Sequence, residues 1–288
     1  MVHIKRKASD AGEAFPVVQH SVVPEGSDSE MEYLTFPLLE KTGIVSHLFS
    51  TRLGGVSTGE FTSFNLSFTR GDEEASVLEN YRRVAGVLGC EIGDITASHQ
   101  THTTNIRFIK ENDRGKGVTK PRDYEDIDGL ITNQPGIALA TFYADCVPLY
   151  FVDPVHKAIG LAHSGWRGTA ARMGACMVQR MQEAFGTRPE DLYAAIGPSI
   201  CVDCYEVSED VAECFTDLPG VVRDGRRPGK YQLDLWEANR LILEQAGIPA
   251  AQIAVTDICT CCNSDYLFSH RATGGRRGNL GAFLMLKR

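Results

Sequence analysis

The sequence predicts a mixed α/β or α+β domain that combines hairpins with crossovers, and three observations carry that prediction. Apolar runs rich in β-branched and aromatic residues recur as strand candidates, they alternate irregularly with segments of helical period, and no long linker or internal repeat divides them. A regular doubly wound sheet requires strict alternation of strand and helix, which this chain lacks.

Residues 1–31 mix Lys, Ser, Asp, Glu and Gly around one short apolar patch, Phe15-Pro16-Val17-Val18, without a sustained period. They are expected to form a flexible N-terminal tail, followed by a single domain over 32–288. Residues 73–88 place Leu78, Tyr81, Val84 and Leu88 on one helical face and stop at Gly89. The Gly/Lys/Arg-rich stretches 111–122 and 223–230 read as loops inside the domain. Strands are expected at Ile137–Tyr143, Val147–Val152, Ala158–Ala162, Leu192–Ile196, Ile253–Val255 and Phe283–Leu286. A second helix, 168–185, carries Met173, Met177, Val178, Met181 and Phe185 before Gly186. A third starts at Asp234, where Glu237 three residues on completes a capping-box pattern, and ends at Gly247 and Pro249. The Met and aromatic positions on these faces are core rather than cofactor-binding.

With 288 residues, 43% of them hydrophobic and 23% charged, the chain has enough apolar sequence for a sizeable core. A formal charge of -8 removes any long-range attraction to phosphate backbones or anionic lipid, so nucleic-acid and membrane partners are not expected. No run approaches the roughly 18 apolar residues of a membrane helix, and Met1-Val2-His3-Ile4-Lys5-Arg6-Lys7 lacks the apolar stretch of a signal peptide. A cytoplasmic enzyme is the expectation. Nine cysteines, an odd number, then read as reduced thiols, and any special one as a ligand or a nucleophile.

The segment 144–163 reads as a hairpin, because Asp153-Pro154 punctuates two apolar runs. A four-residue loop, Asp153 to His156, makes the indices of opposite residues sum to 309, which sets Cys146 beside His163 on one face. Opposite residues lie about 4.5–5.5 Å apart at Cα, so both side chains reach one ion with bonds of about 2.0–2.3 Å. Thiolate plus imidazole suits zinc and also takes copper. Beyond His163, Ser164-Gly165-Trp166-Arg167-Gly168 leads into the 168–185 helix, a strand–turn–helix order that can present backbone N–H groups to an anion. Ser98-His99-Gln100-Thr101-His102-Thr103 offers a third ligand, and composition alone leaves His99 and His102 as alternatives. A rival metal site is spelled by Cys201-Val202-Asp203-Cys204 and Cys259-Thr260-Cys261-Cys262, two C-x-x-C spacings. Both abut strand-like sequence without a short zinc-knuckle loop, so packed free thiols are the expectation for Cys201, Cys204, Cys259, Cys261 and Cys262.

Several blocks in one order carry a resemblance over residues 33 to 288. They are Phe49-Ser50-Thr51-Arg52-Leu53-Gly54-Gly55-Val56-Ser57, Phe64-Asn65-Leu66, His99-Gln100-Thr101-His102, Asp128-Gly129, Ala144-Asp145-Cys146-Val147-Pro148, Ala162-His163-Ser164-Gly165-Trp166-Arg167-Gly168, Ile196-Gly197-Pro198-Ser199-Ile200, Cys204-Tyr205-Glu206-Val207 and Phe268-Ser269-His270-Arg271. In these the chain resembles the YfiH, or laccase-domain, family of purine nucleoside phosphorylases. The resemblance implies that His102, Cys146 and His163 are the metal-binding and catalytic residues, which selects His102 over His99. It implies an α+β fold of mixed β-sheets packed with helices, similar to a toxin deamidase domain with a Cys–His pair. It further implies phosphorolysis of adenosine, inosine, guanosine and methylthioadenosine with adenosine deamination on the side, and an older assignment of the family as copper polyphenol oxidases. Arg52, Asn65, Arg167 and Arg271 fall in the matching blocks and are the candidates for binding substrate or phosphate. The chain departs from the family pattern at Thr103, where relatives usually carry Gly, and at Gly274-Gly275-Arg276-Arg277, where Thr-Gly-Arg is usual.

Three protein ligands leave zinc an open position, as in catalytic sites, and water there has a pKa lowered to about 7. A metal-free alternative makes Cys146 a nucleophile with His163 as its base. A copper oxidase of phenols is disfavoured, since one His-Cys-His set lacks the further ligands of multi-copper oxygen chemistry.

Overall fold

The computed structural model describes residues 4–7 and 16–288. Two six-stranded sheets face one another, and helices cover their outer faces. In strand order the first sheet is Val18–Val22, Met31–Thr35, Val45–Ser50, Leu280–Leu286, Ala138–Tyr143 and Ile95–Ala97. The second is Ile253–Val255, Tyr193–Ile196, Val147–Asp153, Ala158–Ser164, Gly129–Thr132 and Ile106–Phe108. A three-stranded sheet, Glu206–Ser208, Lys230–Leu233 and Val222–Asp224, lies apart. Parallel pairs at Ile95–Ala97 with Ala138–Tyr143, at Ile106–Phe108 with Gly129–Thr132, and at Tyr193–Ile196 with Ile253–Val255 sit among antiparallel ones. The fold is α+β with mixed sheets packed with helices, as expected.

Alternation along the central strands builds the layers. On Ala138–Tyr143, Leu139 and Tyr143 point between the sheets, while Ala138 and Ala140 meet the helix Glu74–Leu88 through Val77, Tyr81 and Val84. On Val147–Asp153, Tyr150 and Val152 point inward, and Val147, Leu149 and Phe151 meet the helices Met173–Phe185 and Leu235–Gln245. On Ala158–Ser164, Ile159 and Leu161 face the inter-sheet core, and the same parity aims His163 at one end of it.

The structure corrects four expectations. Residues 1–31 are not a free tail throughout, because Val18–Val22 pairs with Met31–Thr35 along five residues and Val17 is buried. Its Val-Gln-His-Ser-Val sequence suits an edge strand with one solvated face. The helix expected at 168–185 is two, Trp166–Ala170 and Met173–Phe185, broken where Arg172 takes φ 63°. The stretch 223–230 is a hairpin connection between Val222–Asp224 and Lys230–Leu233 rather than a plain loop. The hairpin register pairs Pro148 with His163, a sum of 311 instead of 309. Its cause is the Asp153 carboxylate, which accepts from the Val155 and His156 N–H groups and moves the turn one residue on. A shift of two in the sum preserves facing, so Cys146 stays on the His163 side. Among the described residues no helix is long and apolar enough to cross a membrane.

Candidate metal and catalytic site

Three side chains from separate segments converge at the open end of the inter-sheet core. His163 is the penultimate residue of Ala158–Ser164, and Cys146 immediately precedes Val147–Asp153. His102 comes from the loop after Ile95–Ala97, and its backbone takes φ 67°. Their ligating atoms lie within 4.8 Å of one another; His102 Nε2 is 3.9 Å from Cys146 Sγ, and the two imidazoles meet edge-on at 4.9 Å.

A buried carboxylate organises this cluster. Asp128 Oδ1 accepts from His163 Nδ1 at 2.8 Å and from the His102 N–H at 3.1 Å. Its Oδ2 accepts from the N–H groups of Thr101 and Thr103 and from the Thr103 hydroxyl. The bond to His163 makes Nδ1 a donor and turns Nε2, the lone-pair nitrogen of the neutral ring, toward Cys146. Burial raises the Asp128 pKa, but His163 and the surrounding N–H groups outweigh it and hold the group below its ordinary value. Gln100 anchors the same loop, exchanging two hydrogen bonds with the backbone of Phe142.

Cys146 is aimed by its neighbour. Asp145 adopts φ 91°, a conformation rare for a non-glycine residue, and its carboxylate accepts from the Thr260 hydroxyl and the Arg271 N–H, which over-determine it. Gly165 closes the site from behind: a Cβ there would come to 2.9 Å from the His102 ring and 3.1 Å from Cys146 Sγ. Burial opposes ionisation of the Cys146 thiol, yet His163 and His102 prevail and bring its pKa to about 6. Burial conversely lowers His163, but Cys146 and Asp128 carry it up to about 9. Without metal, the pair is a thiolate beside an imidazolium.

The donor set fits zinc. One thiolate and two imidazoles are common zinc ligands, and the imidazole–carboxylate pair of His163 and Asp128 is the usual support for a ligating histidine. His99 is excluded, because its Nδ1 accepts from the Asp126 N–H.

The three side chains open onto a cavity of about 790 Å³, large enough for a nucleoside. Its walls include Phe142 and Tyr143 and the cations Arg70, Lys120, Arg122 and Arg277. The other sequence candidates lie elsewhere. Arg52 donates to the carbonyls of Thr62 and Ser264 and rests on the Phe268 ring. Arg167 is exposed and stacks on Trp166. Arg271 donates to the carbonyls of Cys204 and Glu206. None of these three lines the cavity. Asn65 is buried and shapes the wall through bonds to the Ser67 and Asn279 backbone. Arg277 is the arginine of the Gly-Gly-Arg-Arg stretch that reaches the cavity. Sequence reasoning missed Asp128 as the partner of His163, although Asp128-Gly129 was among the quoted blocks. It also missed Arg70 and Arg122, which carry no motif.

Comparison with known proteins identifies the family. The family described as multi-copper polyphenol oxidoreductase laccase matches residues 46–287. Purine nucleoside phosphorylase YlmD of Bacillus subtilis is 37% identical over 246 residues, 83% of this chain and 87% of that protein. Adenosine deaminase RL5 from an unknown prokaryotic organism is 34% identical over 80% of this chain and 90% of that one. The crystal structure of Bacillus licheniformis YfiH superposes with a TM-score of 0.84 at 35% identity, covering 91% of this chain and 98% of that one. The chain therefore belongs to the multi-copper polyphenol oxidoreductase laccase family, the YfiH-type laccase-domain proteins.

Proposed function

We propose that this protein is a zinc-dependent purine nucleoside phosphorylase that acts on adenosine, inosine, guanosine and methylthioadenosine and also deaminates adenosine. The observation that carries this reading is the meeting of His102, Cys146 and His163, braced by Asp128, at the edge of a nucleoside-sized cavity lined by cations. The names of the relatives supply the reaction class. We place the enzyme in the cytoplasm.

His102, Cys146 and His163 would hold the zinc, which would supply a Lewis acid when bound. The chain's own residues do the rest. Asp128 fixes the ring of His163 and the loop of His102, so the ligands are set before substrate arrives. Phe142 offers flat apolar surface to the purine, and Arg70, Arg122 and Arg277 offer positive charge to phosphate. Phosphorolysis then forms a bond from phosphate oxygen to ribose C1′ while the bond from C1′ to the base nitrogen breaks, and the leaving base takes up a proton.

A second reading has one observation in its favour: Cys146, His163 and Asp128 also form a thiol–imidazole–carboxylate relay, which suits a metal-free Cys–His hydrolase. Chelation separates the two. The zinc reading predicts that stripped enzyme loses adenosine phosphorolysis and regains it with stoichiometric zinc, while full activity after stripping would favour the relay.

A further inference from the structure

A second group of sulfurs lies outside the catalytic cluster. Cys201, Cys204, Cys259 and Cys262 come from two C-x-x-C segments, and their four Sγ atoms all lie within 4.8 Å of one another. Each segment is a tight turn. Val202–Cys204 is a turn of 3-10 helix in which the Cys204 N–H donates to the Cys201 carbonyl, and the Asn263 N–H closes the other turn on the Cys259 carbonyl. The turns are held side by side because Ser199 pairs in parallel with Cys259 and the Thr260 N–H donates to the Ser199 carbonyl. The knuckle turns that the flanking strand-like sequence argued against are therefore present.

We propose that these four cysteines bind one structural zinc ion in a closed tetrahedral site, distinct from the His102–Cys146–His163 centre. Zinc–thiolate bonds of about 2.3 Å in a tetrahedron set the sulfurs about 3.8 Å apart. Cys204 and Cys262 stand at 3.5 Å, so small side-chain adjustments complete the shell. All nine cysteines are free, so no disulfide competes for the four sulfurs. Cys259 Sγ already accepts from the N–H groups of Cys201 and Cys262 at 3.3 and 3.4 Å, donors that favour a metal-bound thiolate. Ile200 and Trp236 pack against the group and limit exchange with solvent. Four protein ligands leave no position for substrate, which makes the ion structural.

Its place in the fold gives it a task. The turns it ties together are the ones that hold the catalytic loop: Thr260, next to Cys259, donates to the Asp145 carboxylate, and the Ile200 N–H donates to the Asp145 carbonyl. Arg271, whose N–H also binds Asp145, donates from its guanidinium to the Cys204 carbonyl. The second zinc thus braces Asp145, and through it the aim of Cys146.

Metal analysis by elemental mass spectrometry on full-length protein, purified with reductant and zinc, tests this independently of the first site. The His102→Ala/Cys146→Ala variant should keep one zinc per chain, and adding Cys201→Ser/Cys262→Ser to it should remove that ion. Cys261→Ser, a neighbouring thiol outside the group, should change nothing. If the serine variants fail to fold, thiol alkylation of the wild-type protein still decides. The four cysteines should be protected as a set, at least about tenfold slower than exposed Cys214, until a strong chelator releases them together. Absence of metal from His102→Ala/Cys146→Ala with all four thiols freely alkylated would overturn the proposal. So would a metal-free protein whose mass shows a disulfide among the four, or iron in place of zinc after zinc supplementation.

Discussion

Replacing Asp128 by Asn tests the organisation of the site with almost no change in volume. The carboxylate accepts from five donors: His163 Nδ1, the N–H groups of Thr101, His102 and Thr103, and the Thr103 hydroxyl. An amide has one oxygen, so its NH2 must face part of this set. Placed at Oδ1, the NH2 forces His163 to accept at Nδ1, which moves the ring proton to Nε2 and removes the lone pair from the metal side. Placed at Oδ2, it opposes the N–H groups of Thr101 and Thr103 and displaces the loop that carries His102. Hydrogen bonds to a charged group contribute about 1.5–3 kcal/mol each, and at least two are lost, so stability should fall by roughly 3–6 kcal/mol. For a chain of this length that is a melting decrease of about 5–10 °C. Loss of a supporting carboxylate weakens metal binding about 10–100-fold. Zinc competition against a chromogenic chelator, with thermal melting alongside, reads both effects. An Asp128→Asn protein whose zinc affinity and melting temperature match the wild type would refute the reasoning.

Three further outcomes are expected. Gly165→Ala should weaken zinc binding and catalysis at least about tenfold while leaving melting nearly unchanged, because the extended backbone at 165 accepts Ala and the atoms nearest the new Cβ belong to His102 and Cys146; chelator competition and circular dichroism check it, and unaltered binding would contradict it. His47 is buried and accepts from the Phe36 N–H, and burial, with His20 and Lys287 adding, lowers its pKa to about 3. The unfolded chain then binds the extra proton first, so this group's contribution is complete above about pH 6.5 and is lost as pH falls toward 3. Between pH 7 and pH 5 it amounts to roughly 2 kcal/mol, readable as a urea-midpoint shift that His47→Gln should lack. Deleting residues 2–28 removes the strand Val18–Val22 and buried Val17, and should lower the melting temperature by about 5 °C, the equivalent of roughly 3 kcal/mol; unchanged melting would show that the strand adds nothing.

The elements around Cys146 were legible because long apolar runs in the middle of the two sheets are buried on both faces. Val147–Asp153 and Ala158–Ser164 differ from their expected limits by one or two residues at one end. Among the three-residue strands Ile253–Val255 was legible, but others were not. Ile95–Ala97 and Ile106–Phe108 have three residues each, too few for a period, and exist because each lies parallel to a longer partner. The break at Arg172 is invisible in the helical pattern, since Trp166 and Ala170 before it and Met173 and Met177 after it keep a helical spacing on one apolar face. In the site, the parity of the hairpin was right although its register was not, because the Asp153 side chain, not the apolar pattern, places the turn. His102 required the resemblance, since its approach to Cys146 depends on a loop wrapped around Asp128. The meeting of Cys201 and Cys204 with Cys259 and Cys262 depends on the bridge from Ser199 to Cys259, which no local spacing encodes.

The most direct test of the account is chromatography of the products formed from adenosine by zinc-loaded protein, with and without inorganic phosphate, beside Cys146→Ala. The account predicts adenine and ribose 1-phosphate only when phosphate is present, some inosine without it, and neither from the variant. No adenine from fully zinc-loaded protein, or equal turnover by Cys146→Ala, would contradict it.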